Sequence, residues 1–128
     1  MSSESHRPRV LLADDDSGVQ IATARLLSLS FDVVACVDDT AALFDAVVQL
    51  QPDVVVLDFS MPGGVGGLEA CRRLKTLLPR MHVVAFTAHD DPDLRAAAYE
   101  AGASGFVWKL EGGTDLVATI HSVVSAGG

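Results

Sequence analysis

The sequence is poor in cysteine, in basic residues and in long apolar runs, and each shortage removes a class of function. Its two cysteines, Cys36 and Cys71, fall in different predicted elements without metal-ligand spacing. They read as buried free thiols rather than as a disulfide framework or a thiolate metal site. Nine Lys and Arg stand against seventeen Asp and Glu, giving a net charge of −8 and a sequence pI near 4.7. Such a chain has no basic surface for a phosphate backbone, so nucleic-acid contact by this domain itself is not expected. No apolar run approaches the length of a membrane span, and residues 1–8 lack the apolar core of a signal peptide. No membrane association and a cytoplasmic location are therefore expected. There is no low-complexity linker either. The 128 residues read as one domain over 9–128 behind an N-terminal tail over 1–8.

What the chain has is hydrophobic content, 49% of residues with a mean hydropathy of +0.34, which excludes disorder. The run Val54-Val55-Val56-Leu57, mostly β-branched, predicts a strand buried on both faces. It delivers Asp58 to its carboxyl end, and Met61-Pro62-Gly63-Gly64 then breaks the chain. Arg9-Val10-Leu11-Leu12-Ala13 predicts a first strand, ended by Asp14-Asp15-Asp16. From Ser17, read as an N-cap, Val19, Ala22, Thr23, Leu26 and Leu27 recur at helical spacing. Residues 32–37 predict a second strand. Asp39 caps a helix with an apolar stripe of Leu43, Phe44, Val47, Val48 and Leu50, stopped by Pro52. Leu68, Cys71, Leu74, Lys75 and Leu78 mark a third helix, and residues 82–86 a fourth strand leading to Thr87. Asp91-Pro92 opens a fourth helix with Leu94, Ala97, Ala98 and Ala101 facing inward, ended by Gly102. Residues 105–108 predict a fifth strand leading to Lys109, and Thr114 starts a last helix carrying Leu116, Val117, Ile120 and Val124.

Five βα units with short connections imply a parallel sheet covered by helices on both faces. The expected fold is a flavodoxin-like, doubly wound (βα)5 domain with strand order 2-1-3-4-5. In that order the first and third strands are neighbours, and the chain reverses direction between them. Asp14, Asp15 and Asp58 then converge, joined by the Thr87 hydroxyl and the Lys109 ammonium. Three carboxylates within about 5 Å repel by roughly 3 kcal/mol per pair at an effective dielectric near 20. A cation or a proton must relieve this, and an all-oxygen, partly hydrated site suits Mg²⁺. A carboxylate can also act as a nucleophile toward phosphorus. Lys109 would then neutralise charge on the transferring group, and Thr87 would bind one of its oxygens.

Residues 10–16 (VLLADDD), 55–63 (VVLDFSMPG), 85–88 (AFTA) and 102–109 (GASGFVWK) together resemble the signature of bacterial response-regulator receiver domains. The C-terminal run from Ala101 resembles receivers that precede a LuxR-type DNA-binding domain. The resemblance implies that Asp58 is the phosphoacceptor, supplied by a sensor histidine kinase. It implies Mg²⁺ held by Asp14, Asp15, Asp58 and the backbone carbonyl of Ser60. Thr87 and Lys109 correspond to the phosphoryl-binding pair, Phe106 to the aromatic that turns when Thr87 moves, and Ser60 and His89 to positions that modulate dephosphorylation. Such a domain is no enzyme beyond its own phosphorylation and dephosphorylation. It switches the surface of its fourth helix, fifth strand and fifth helix, through which it can form a homodimer or control an output domain. Trp108, on the same strand face as Phe106, is a candidate for that partner surface.

The chain departs from the family pattern in two places. The loop at residues 63–67 is one residue longer and carries four glycines, which predicts fast backbone exchange there. Leu110 follows Lys109 where many receivers have a cis-proline, so a trans bond is expected. Simpler readings also hold. Asp16 and Ser17 open the first helix, His121 is a surface or half-buried residue, and His6 lies in the tail. A stand-alone receiver acting by protein contact or in a phosphorelay is the alternative output. An Asp-nucleophile phosphatase fits less well, because Ser60 stands where the haloacid-dehalogenase pattern has a second Asp. A flavin module is disfavoured by the acids after the first strand.

Overall fold

The computed structural model describes residues 7–61, 66–111 and 113–127. Its elements alternate strictly: β1 (Arg9–Ala13), α1 (Ser17–Leu27), β2 (Asp32–Val37), α2 (Thr40–Leu50), β3 (Val54–Leu57), α3 (Gly67–Leu77), β4 (His82–Thr87), α4 (Pro92–Glu100), β5 (Gly105–Trp108), a 3-10 turn (Lys109–Glu111) and α5 (Gly113–Gly127). All strand pairs are parallel, in the order β2-β1-β3-β4-β5. This is the expected flavodoxin-like arrangement, with β5 on an edge.

The three inner strands are hydrophobic on both faces because helices cover both. Val54, Val55, Val56 and Leu57 are all buried. Alternation along the strands divides the core in two. Leu11, Ala13, Val55, Leu57, Val83, Ala85 and Phe106 meet α2, α3 and α4 on one face. Val10, Leu12, Val54, Val56, Val84 and Val107 meet α1 and α5 on the other, where Leu27, Leu116 and Ile120 are fully buried. At roughly 2 kcal/mol per fully buried aliphatic side chain, these two layers dominate stability.

Helix starts follow cap chemistry. Asp39 accepts from Ala42 N, and Asp91 accepts from Asp93 N with Pro92 in the first turn, as the sequence predicts. Three expectations need correction. Asp16, not Ser17, is the N-cap of α1: its carboxylate accepts from Val19 N at 3.0 Å. An aspartate and a serine can each cap a helix, and the chain turns one residue earlier. Cys36 is exposed rather than buried, because β2 is an edge strand; Cys71 is buried. Ala22 and Val48 face solvent, so the apolar stripes of α1 and α2 are narrower than their spacing suggests. Gly66 and Gly67 belong to the start of α3, and the remainder of the predicted 63–67 loop lies outside the described residues.

At the opposite end of the sheet from Asp58, a lysine ties down the connection between α3 and β4. Lys75 Nζ donates to the carbonyls of Pro79 (2.9 Å) and Met81 (2.7 Å). Gly102, which ends α4 at φ +109°, lies beneath it: a Cβ there would meet Lys75 Cγ at 2.6 Å. Only glycine satisfies both the left-handed backbone and that approach.

Candidate functional site

Register alone brings two acids together. Ala13 pairs with Leu57 across β1 and β3, so Asp14 and Asp58 emerge side by side where those strands end. Backbone bonds fix both exits, Asp14 N to Val37 O at 3.0 Å and Asp58 N to Ala13 O at 2.9 Å. The carboxylates are nearly inaccessible, at 1% and 3% exposure. Asp15, one residue on, is exposed, and ligand oxygens of Asp14, Asp15 and Asp58 lie within 4.8 Å of one another.

Lys109 reaches this cluster from the end of β5. Its Nζ lies 2.8 Å from Asp14 Oδ2 and 3.5 Å from Asp58 Oδ2. The Lys109–Leu110 bond is trans, since no cis peptide occurs among the described residues. Burial disfavours the Lys109 ammonium, yet the hydrogen bond it donates to Asp14 and the charges of Asp58 and Asp14 outweigh it and hold its pKa up. Asp58 is pushed above its ordinary value, chiefly by burial and further by Asp14 and Asp15, against the Ser60 N–H and Lys109. One ammonium thus faces three carboxylates, and the site carries more negative charge than it can neutralise.

The Asp58 carboxylate is oriented by Ser60 N, which donates to Oδ1 at 2.9 Å. Asp14 is held as firmly, with Oδ1 accepting from Asp16 N at 3.0 Å. Gln20, which the sequence reading missed, donates from Nε2 to the carbonyls of Asp14 (3.0 Å) and Val37 (3.1 Å). Its position one turn into α1 is the only sequence signal for that role. Thr87 is fully buried at the end of β4, and its Oγ1 accepts from His89 N at 3.2 Å. Thr87, Ser60 and His89 line one cleft of about 530 Å³, walled by Phe59, Gly67, Arg72 and Leu94. Phe106 is buried with the Arg95 guanidinium carbon 5.0 Å from its ring centre. Trp108 is half-buried, and its Nε1 donates to Ala88 O at 3.2 Å. Ser60 and His89 are exposed. His121 is exposed too, its ring 4.8 Å from that of Phe31.

All five residues singled out for chemistry therefore sit at the carboxyl ends of β1, β3, β4 and β5. The donor set is hard oxygen, clustered, over-charged and open to solvent on the Asp15 side. These features fit Mg²⁺ better than a softer ion.

Comparison with known proteins agrees with this geometry. The response regulator receiver domain family matches residues 10–121. Response regulator GacA of Pseudomonas viridiflava is 35% identical over 117 residues, covering 90% of this chain and 54% of that protein. Transcriptional regulatory protein LnrK of Bacillus subtilis is 31% identical over 121 residues, covering 93% and 54%. The chain thus spans about half the length of these curated relatives. Among solved structures, a LuxR-family two-component response regulator from Aurantimonas superposes with a TM-score of 0.88 at 31% identity, covering 94% of this chain and 86% of that one. A LuxR-family DNA-binding response regulator from Staphylococcus aureus gives 0.84 at 25%, covering 91% and 98%. No helix among the described residues is long and apolar enough to cross a membrane. The chain belongs to the response regulator receiver domain family of two-component systems.

Proposed function

We propose that Asp58 accepts a phosphoryl group from the phosphohistidine of a sensor kinase. A carboxylate oxygen attacks phosphorus, the N–P bond breaks, and the imidazole leaves with the electron pair. The observation that carries this reading is a 3%-exposed carboxylate with an ammonium at 3.5 Å and two more acids beside it. Lys109 draws the donor's negative charge toward Asp58. The Ser60 N–H holds Oδ1, which leaves Oδ2 facing Lys109 at 3.5 Å. Thr87, whose Oγ1 accepts from His89 N, offers its O–H to a phosphoryl oxygen. Asp14, Asp15, Asp58 and the Ser60 carbonyl would hold Mg²⁺, which supplies charge neutralisation for the transferring group. Loss of the phosphoryl group to water would be tuned by Ser60 and His89, both exposed beside the acceptor.

The same reading assigns residues 9–128 to the receiver and residues 1–8 to a tail. Phosphorylation is read out through α4, β5 and α5, where Phe106 responds to Thr87 and Trp108 belongs to the partner surface, including that of a homodimer. Both described LuxR-family neighbours support an output in transcription control by a further domain; a stand-alone receiver is the alternative. Intact mass after exposure to acetyl phosphate tests the acceptor. With Mg²⁺ it should rise by one phosphoryl group, and in excess chelator or in Asp58→Asn it should not. Equal labelling of that variant would refute the assignment.

A further inference from the structure

The loop that carries Thr87 is tied to β5 by a side chain outside the phosphoryl site. Trp108 Nε1 donates to the carbonyl of Ala88, the residue directly after Thr87, at 3.2 Å. Thr87 itself is committed to His89 N. Residues 87–89 are therefore held from both sides, with Thr87 Oγ1 fixed in place as the acceptor of His89 N. Beside this contact lies an open cleft of about 740 Å³ lined by Ala88, His89, Asp90, Asp91, Leu94 and Trp108, so the indole has room to leave. Two other contacts surround the same strand: Arg95 stacks on Phe106, and β5 pairs with β4 at Thr87↔Trp108. The Trp108 indole bond differs from both in ending on the loop backbone that must move with Thr87.

We propose that the Trp108 N–H to Ala88 O bond is a latch on the resting state, released when Thr87 turns toward a phosphoryl group on Asp58. This rests on the receiver reading above and adds to it a specific restraint. A contact made in one of two states lowers the apparent affinity of any ligand that selects the other. Removing the donor alone should therefore favour the phosphorylated form while weakening the free protein. A side chain that only packs would, on removal, weaken both.

The test uses the whole chain in three forms: wild type, Trp108→Phe, and protein with benzothienylalanine at position 108, which keeps the bicyclic shape and lacks the N–H. Beryllofluoride with Mg²⁺ serves as the phosphoryl mimic, its binding followed by fluorine NMR. Both variants should bind it roughly two- to tenfold more tightly, the span set by the net worth of one hydrogen bond. Their metal-free thermal midpoints should fall by a few degrees. Unchanged or weaker binding in the benzothienylalanine protein overturns the latch even if Trp108→Phe packs poorly. A wild type that fails to bind beryllofluoride brings down the receiver reading itself, and the latch with it.

Discussion

Replacing Asp58 by Asn should stabilise the metal-free protein, although it removes an ion pair. The two amino acids have nearly the same shape, and Asn keeps an oxygen to accept from Ser60 N. What changes is charge. Asp14 lies within 4.8 Å of Asp58, a repulsion of about 3.5 kcal/mol at an effective dielectric near 20. Asp15 is exposed, so solvent reduces its share to about 1 kcal/mol. Lys109 at 3.5 Å returns about 4.7 kcal/mol on the same scale. These contributions nearly cancel, and burial of a carboxylate that is 3% exposed decides the sign. Its desolvation costs several kcal/mol, of which the charged hydrogen bond from Ser60 N recovers about 1.5–3. A gain of about 1–2 kcal/mol should follow, or roughly 3–10 °C in the thermal midpoint for a domain of this size. Lys109 keeps Asp14 at 2.8 Å and is not orphaned by the substitution.

The pH dependence has a defined sign. The Asp58 pKa is raised in the folded state, so the folded protein holds that proton more tightly than the unfolded chain. The wild type therefore loses stability from this group as pH rises from the unfolded value, about 3.9, through the folded one. The advantage of Asp58→Asn should be full at neutral pH and shrink on acidification. Urea unfolding of both proteins in chelator, at neutral pH and just below pH 4, measures it. An Asn variant less stable than wild type at neutral pH would refute the argument, as would a pH-independent difference.

Three further outcomes follow from particular contacts. Asp15→Ala should remove most Mg²⁺ binding, read from amide shifts during titration, since it takes away the solvent-facing acid of the cluster; undiminished affinity would contradict the proposed ligand set. Gly67→Ala places a Cβ against Cγ of the Phe59 ring and should cost about 1–3 kcal/mol in urea unfolding through overpacking. Lys75→Met leaves the carbonyls of Pro79 and Met81 without their donor and should cost about 1–3 kcal/mol, with phosphorylation of Asp58 unaffected because the site lies at the other end of the sheet.

Much of this architecture was legible in the sequence because local and global signals coincide. Val54 to Leu57 is apolar without alternation, which only a strand covered on both faces requires. Asp39 and Asp91-Pro92 announce their helices by cap chemistry alone. Five βα repeats leave few orders for the sheet, and the order then puts Asp14 beside Asp58. Where the reading failed, the deciding quantity was tertiary. Cys36 is apolar enough for a core but lies on an edge strand, and Val48 extends the apolar stripe of α2 yet faces solvent. Asp16 and Ser17 compete for one cap with nearly equal local chemistry. In the site, Lys109 and Asp14 are 95 residues apart, so convergence on one edge was readable but the closer partner was not. Trp108 gave no sign of Ala88, because a carbonyl has no sequence signature.

The central claim is that Asp58, and neither neighbouring acid, carries the phosphoryl group. Acyl phosphates are reduced by borohydride to the alcohol, which would turn a phosphorylated aspartate into homoserine at its own position. After acetyl phosphate treatment with Mg²⁺, borohydride and proteolysis, mass spectrometry should find homoserine at position 58 alone, and none when chelator replaces Mg²⁺. Homoserine at position 14 or 15, or at 58 regardless of metal, would contradict the account.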